Sequence, residues 1–86
     1  MKVKFEARFA KDLRAIQDPK ILNRMKKIIE DCKLADNLSS IKHMKKMQGY
    51  ERFYRIRLAD YRIGIVDDTI IFARILPRKD IYKYFP

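Results

Sequence analysis

A stretch near the middle of the chain alternates between apolar and polar side chains on both sides of a short break at Ala59-Asp60. Period-two alternation is typical of a strand with one buried face, so residues 53–66 predict a β-hairpin. An even-length turn at the break brings six large apolar or aromatic side chains to one face: Tyr54, Ile56, Leu58, Tyr61, Ile63 and Ile65. This face must be buried, and that requirement fixes the register of the hairpin.

The same register places arginines together on the opposite face. Arg57 lies beside Arg62, and Arg55 lies one pair further along. Like charges directly across a strand pair are destabilising. The nearest carboxylates are Glu51 at the start of the first strand and Asp67 beyond the end of the second. We therefore predict that this face binds a polyanion.

Two further properties of this face favour the same interpretation. A guanidinium group binds phosphate bidentately through a rigid fork, which an ammonium group cannot do. Gly64, opposite Arg55, is expected to leave a gap that a nucleotide backbone or base could approach. The alternative is a solvated sheet face whose arginines pair with scattered carboxylates.

Composition agrees with a basic domain that binds nucleic acid. The 86 residues include 21 Lys and Arg against 11 Asp and Glu, which gives a net charge of +10. Hydrophobic residues make up 48% of the chain, too many for a disordered basic tail. The chain has no apolar run long enough for a membrane span and no signal-type segment, so we expect a soluble, cytoplasmic protein.

The rare residues argue against a metal or cofactor. Two glycines cannot build a glycine-rich phosphate loop, and one histidine with one cysteine cannot supply the three or four ligands of a zinc site. Cys32 falls on an apolar stripe and is expected to be a buried thiol. His43 lies in a basic loop and is expected to be a solvated surface residue, with a contact to RNA as the alternative.

The rest of the chain predicts an α+β fold of one domain, residues 1–86. Residues 1–7 read as a strand, 9–16 as a short helix, and 20–33 as a second helix that starts after Asp18-Pro19. Residues 35–49 have an irregular pattern. After a turn of two or three residues at 67–69, residues 69–76 are expected to form a last strand, which ends at Pro77. The order is β-α-α-β-β-β: a helical hairpin packed on a small, mainly antiparallel sheet.

The tail after Pro77 is short, basic and aromatic. Tyr82 stands among Arg78, Lys79 and Lys83, a combination that suits stacking of unpaired bases beside bound phosphates. Phe85 is expected to cover the core instead, and Tyr84 fits either role.

These motifs resemble the RelE/ParE superfamily of bacterial and archaeal toxins. The resemblance is carried by the hairpin sequence YRIRLADYRI (54–63) and by the later RKDIY (78–82), and it extends over the whole chain. RelE-like members cleave mRNA in the ribosomal A site, whereas ParE-like members poison DNA gyrase and lack the cleaving residues. The arginine set resembles that of the RelE-like branch.

That branch implies an endoribonuclease in which a ribose 2′-hydroxyl attacks the adjacent phosphate and forms a 2′,3′-cyclic phosphate. The implied catalytic residues are Arg55, Arg57, Arg62, Arg78 and Tyr82. The RNA- or ribosome-binding residues are expected to be Lys42, Lys45, Lys46, Lys79 and Lys83. RelE itself has lysines where this chain has Arg55 and Arg57. Since arginine does not give up its proton, no residue is assigned as the general base.

The resemblance also implies partners: the ribosome with its mRNA and rRNA, and a cognate antitoxin whose acidic segment masks the basic surface. The chain ends four residues after Tyr82, which leaves no room for the C-terminal helix of some relatives, so we expect direct masking. Two alternatives stay open. One is a gyrase-directed toxin without nuclease activity, and the other is an inactivated toxin homologue that only binds RNA.

Overall fold

The computed structural model describes residues 1–66 and 69–86. Its elements in chain order are β1 (Val3–Phe5), α1 (Ala7–Arg14), α2 (Pro19–Leu34), a 3-10 turn (Leu38–Ser40), β2 (Met44–Lys46), β3 (Phe53–Leu58), β4 (Tyr61–Val66), β5 (Ile70–Pro77) and α3 (Arg78–Tyr84). The expected turn at Asp67 and Asp68 lies outside the described residues. Within those residues, no helix is long and apolar enough to cross a bilayer.

The strands form one sheet in the order β1-β5-β4-β3-β2. β1 pairs with β5 in parallel, and the other neighbours are antiparallel. The prediction of an α+β fold with a mainly antiparallel sheet is confirmed. Two elements were not predicted: β2 lies in the segment expected to be irregular, and α3 lies in the tail expected to lack a helix.

The central hairpin has the predicted register. Ile56 pairs with Ile63 on the apolar face, and Arg57 pairs with Arg62 on the opposite face. Ile56, Ile63 and the neighbouring Ile65 are fully buried. Each such side chain stabilises the fold by about 1.5–3 kcal/mol. Helices α1 and α2 cover this face, so it forms the main core.

Helix α2 begins as its sequence predicts. Pro19 is its first residue, and the Asp18 carboxylate accepts a hydrogen bond of 2.9 Å from the backbone N–H of Lys20. Its apolar stripe buries Ile21, Met25 and Cys32. Burial, with a smaller effect from Asp31, raises the pKa of the Cys32 thiol to about 11, which agrees with the predicted buried thiol.

The second face of the sheet is partly covered by α3 and the residues after it. Ile81 and Phe85 pack with Met47 and Ala73 in a smaller apolar cluster. A Cβ atom at position 64 would lie 2.7 Å from the Phe85 ring, because that ring fills the space above Gly64. The gap expected at Gly64 is therefore closed, which corrects the prediction, whereas the core role of Phe85 is confirmed.

One ion pair ties α1 to the sheet. The Asp12 carboxylate accepts hydrogen bonds from Arg74 Nε at 2.7 Å and Nη2 at 3.0 Å, and from the backbone N–H of Ile75 at 3.1 Å. Both side chains are largely buried. The hydrogen bond to Asp12 raises the pKa of the Arg74 guanidinium.

We expect Asp12→Asn to lower the free energy of unfolding by about 2–3 kcal/mol, because a charge-assisted pair is lost and a partly buried guanidinium is left unpaired. Urea denaturation followed by circular dichroism measures this. Asp31→Asn is the matched control, since Asp31 meets Lys27 at 4.0 Å on the exposed face of α2 and should cost less than about 1 kcal/mol. Equal losses in the two variants would contradict a structural role for Asp12.

Candidate functional site

The arginine face of the hairpin forms the wall of a surface pocket. The pocket has a volume of about 180 Å³. It is lined by residues of β2, β3 and β4 and by the residue that precedes β2: His43, Lys45, Arg55, Arg57 and Arg62. Lys45 on β2 pairs with Arg55 on β3, so the two side chains share a face. The pleat of the sheet thus concentrates positive charge at one place.

Arg62 is the buried member of this group, with 8% of its surface exposed. Its Nη1 atom donates hydrogen bonds of 2.9 Å to the carbonyl oxygens of Ala59 and Tyr61. Ala59 occupies the hairpin turn with φ of 53°, in the left-handed region that favours glycine. The guanidinium group therefore folds back onto its own turn and is held in a fixed position.

The electrostatics of Arg62 show which groups surround it. Its pKa is lowered by burial first, and then by repulsion from Arg55, Arg78 and Arg57, while Tyr82 acts in the opposite direction. All five residues predicted to be catalytic are thus close enough to interact. We call Arg55, Arg57, Arg62 and Arg78 the arginine cluster.

The arginine cluster has no counter-ion among residues 1–66 and 69–86. The ion pairs described there join other residues: Lys27 with Asp31, Lys33 with Glu30, and Arg74 with Asp12. The alternative interpretation required these arginines to pair with carboxylates, and the described residues show no such pairs. The like charges stay close together without compensation.

Arg78 and Tyr82 reach the site from α3, Arg78 as its first residue and Tyr82 one turn later. They line a second, wider pocket of about 450 Å³ together with Asp60, Pro77 and Lys79. The backbone N–H of Arg78 donates a hydrogen bond of 2.8 Å to the carbonyl oxygen of Asp60, which fixes the start of α3 against the hairpin turn. Tyr82 is 57% exposed, so its ring is available for stacking.

The lysines expected to bind RNA divide into two groups. Lys45 and Lys79 line the two pockets, and Lys42 lines a groove beside the first. Lys46 pairs with Tyr54, a residue of the apolar-face set, and so belongs to the other side of the sheet. Lys83 lies on α3 and lines none of these three depressions.

His43 is the residue whose position the sequence did not reveal. It is exposed, as predicted, yet it lines both the arginine pocket and the neighbouring groove. Its carbonyl oxygen accepts a hydrogen bond of 3.3 Å from the backbone N–H of Arg57. This placement depends on β2, which was not predicted.

The neighbouring groove lies between α2 and the edge of β3 and has a volume of about 200 Å³. Three isoleucines line it: Ile28, Ile41 and Ile56. Its charged and titratable lining residues are Arg24, Lys27, Asp31, Lys42, His43 and Arg57. Because His43 and Arg57 line both depressions, the groove borders the arginine pocket.

Comparison with known proteins places this geometry in context. Residues 3–82 match the family described as the ParE toxin of the type II toxin–antitoxin system parDE. The chain is 49% identical to Toxin RelE3 of Methanocaldococcus jannaschii, and the alignment covers 100% of both chains.

Two solved structures show the same architecture. In the RelB-RelE antitoxin–toxin complex from Methanococcus jannaschii, the matched chain is 46% identical with a TM-score of 0.78, over 96% of this chain and 99% of that one. A chain of the E. coli DinJ-YafQ toxin–antitoxin complex has a TM-score of 0.62 at 15% identity, over 99% and 97% of the two chains. The second likeness concerns the fold alone.

Removing one charge from the arginine cluster should stabilise the fold. We expect Arg57→Gln to raise the free energy of unfolding by about 0.2–1 kcal/mol at 10 mM salt, because a cross-strand repulsion is relieved. The gain should shrink at 1 M salt, where the screening length falls to about 3 Å. Arg14→Gln, at an exposed site on α1, is the control. A loss of stability in Arg57→Gln would show that the side chain has a structural role.

Proposed function

Since the chain belongs to the RelE/ParE family of toxins of type II toxin–antitoxin systems, we propose that it is a ribosome-dependent endoribonuclease that cleaves mRNA in the A site and so inhibits translation in the cytoplasm. One observation carries the proposal: four guanidinium groups, which have no counter-ion in the described part of the chain, and an exposed tyrosine ring line two surface pockets. Phosphate and an unstacked base are the ligands that this combination suits.

The reaction that fits this site is transesterification within the RNA. The ribose 2′-oxygen attacks the adjacent phosphorus, the bond to the 5′-oxygen breaks, and a 2′,3′-cyclic phosphate and a 5′-hydroxyl result. Negative charge develops on the phosphoryl oxygens in the transition state. Fixed cations that stabilise this charge, together with in-line positioning, can supply most of the rate enhancement.

The geometry suggests a role for each residue. Arg62 is buried and held by its turn, so it is suited to bind a phosphoryl oxygen together with Arg57. Arg55 positions the RNA backbone. Arg78, on the other side of Arg62, stabilises charge on the leaving oxygen, and Tyr82 orients a base by stacking. Flanking contacts to mRNA or rRNA phosphates fall to Lys42, Lys45 and Lys79.

A gyrase-directed toxin is the second candidate, because the matching family is described by its ParE members. The two functions differ in what they require of the arginine cluster. A protein that binds gyrase needs a complementary surface, whereas phosphoryl transfer needs cations converging on one point. Primer extension on translating ribosomes should give new mRNA ends at A-site codons, while accumulation of cleaved DNA–gyrase complexes instead would identify a gyrase poison.

Arg62→Ala and Arg78→Ala should each lower the rate of mRNA cleavage by about 100-fold or more, the scale expected when one transition-state stabiliser is removed. Cleavage is measured by primer extension on programmed ribosomes in single turnover. Arg14→Ala removes the same charge from exposed helix α1 and should leave the rate within about threefold. Cleavage near the parent rate in both cluster variants would overturn the assignment of this site.

We further propose that the chain binds a cognate antitoxin, by likeness to the RelB-RelE complex. The groove beside the arginine pocket is suited to such a partner. Its isoleucines can receive an apolar side chain, while Arg24, Lys42 and Arg57 at its border attract carboxylates on either side of that anchor. An acidic segment bound here would cover Arg57 and thereby mask the arginine pocket directly.

Arg24→Glu should weaken antitoxin binding about tenfold at low salt, because it places a carboxylate at the border of the groove. The dissociation constant is measured by isothermal titration calorimetry at 50 and 500 mM salt, and the difference should diminish at the higher concentration. Lys20→Glu makes the same charge change on the same helix but does not line the groove. Equal weakening by both variants would indicate a general charge effect and contradict docking in this groove.

A further inference from the structure

The reaction proposed for this site leaves one requirement unmet. A 2′-hydroxyl must lose its proton as it attacks phosphorus, and an arginine cannot accept that proton. The arginine pocket also contains His43 and Lys45. A neutral imidazole has a ring nitrogen that accepts a proton, whereas a lysine ammonium group has three donors and no acceptor. Histidine is therefore the residue type better suited to the task.

We propose that His43 is the general base of this site, an inference that rests on the proposed ribonuclease function. Its imidazole accepts the 2′-hydroxyl proton while the bond from O2′ to phosphorus forms and the bond from phosphorus to O5′ breaks. The leaving 5′-oxygen takes a proton from water. The imidazolium then releases its proton to solvent, so no other reactant is consumed.

The position of His43 supports this role. It precedes β2, and its carbonyl oxygen is hydrogen-bonded to the backbone N–H of Arg57 at 3.3 Å, which anchors it beside the residue assigned to a phosphoryl oxygen. His43 lines the same pocket as Arg57 and Arg62. A base in this place can be reached by the ribose of a phosphate bound to those two guanidinium groups.

The backbone of His43 is also unusual. Its φ of 63° lies in the left-handed region, which is uncommon for a residue other than glycine. Such conformations are costly and cluster at functional sites. Among residues other than glycine, histidine is one of the few that are enriched in this region, so the backbone also accommodates it.

Charged groups face His43 from every neighbouring element. They are Arg24, Lys27 and Asp31 from α2, Lys42 and Lys45 from its own segment, Arg55 and Arg57 from β3, and Arg62 from β4. Seven are cations and one is a carboxylate. This surplus of positive charge attracts the RNA backbone to the pocket that His43 lines.

The test compares His43→Asn with the parent chain in single-turnover cleavage of mRNA on the ribosome, from pH 6 to 8.5. Asparagine tolerates the left-handed backbone but cannot act as a base. We expect the rate at pH 7.5 to fall about 100-fold or more, and the acid limb of the parent's pH profile to disappear. The melting temperature and the affinity for ribosomes should be unchanged. In His43→Gly, added imidazole should restore part of the rate.

Lys45→Gln is the control for the other titratable group in the pocket, and it should keep the acid limb of the pH profile. The proposal is overturned if His43→Asn cleaves mRNA within threefold of the parent rate. It is also overturned if the rate falls but the acid limb persists and imidazole does not rescue His43→Gly. Loss of the acid limb in Lys45→Gln alone would overturn it as well. A parent chain that does not cleave mRNA on the ribosome would instead contradict the proposed function itself.

Discussion

The pleat of the β3–β4 hairpin couples the core of this protein to its candidate active site. Successive residues of a strand point to opposite faces, so the register that buries Ile56 against Ile63 also sets Arg57 against Arg62. Neither arrangement can change without the other, because a slip of one residue would exchange the faces. The arginine pocket is thus positioned by hydrophobic burial and not by any attraction among its own residues.

The magnitudes explain why the fold tolerates this conflict. Each buried isoleucine of the hairpin contributes about 1.5–3 kcal/mol, while one unfavourable cross-strand pair costs up to about 1 kcal/mol. The free energy lost to repulsion is a small fraction of the stabilisation that burial of the opposite face provides. A cluster of cations with no counter-ion among residues 1–66 and 69–86 can therefore persist in a stable protein.

The sequence was informative where its periodicity was long. The alternation over residues 53–66 predicted every pair of the hairpin, and the apolar stripe of α2 predicted its bounds to within a residue. It was uninformative where tertiary contacts decide the structure. β2 has three residues, too few for a pattern, and it exists because β3 offers an edge. α3 is held by Ile81 and Phe85 against the sheet, contacts that no local pattern reveals.

These two short elements determine the parts of the site that the sequence did not predict. β2 determines that Lys45 joins Arg55 while Lys46 does not, and it brings His43 beside Arg57. The pairing of Asp12 with Arg74 spans 62 positions in the chain, so no spacing rule could predict it. The set of arginines could be predicted from residue type and alternation. Only the structure shows that they have no counter-ion within the residues it describes.

The position of the Phe85 ring above Gly64 has an evolutionary consequence. A side chain larger than hydrogen at position 64 must displace the ring that anchors the end of α3. Drift at this glycine would thus loosen the helix that carries Arg78 and Tyr82, although neither residue had mutated. Positions 64 and 85 are expected to vary together among descendants of this chain, with a small residue at one compensating for bulk at the other.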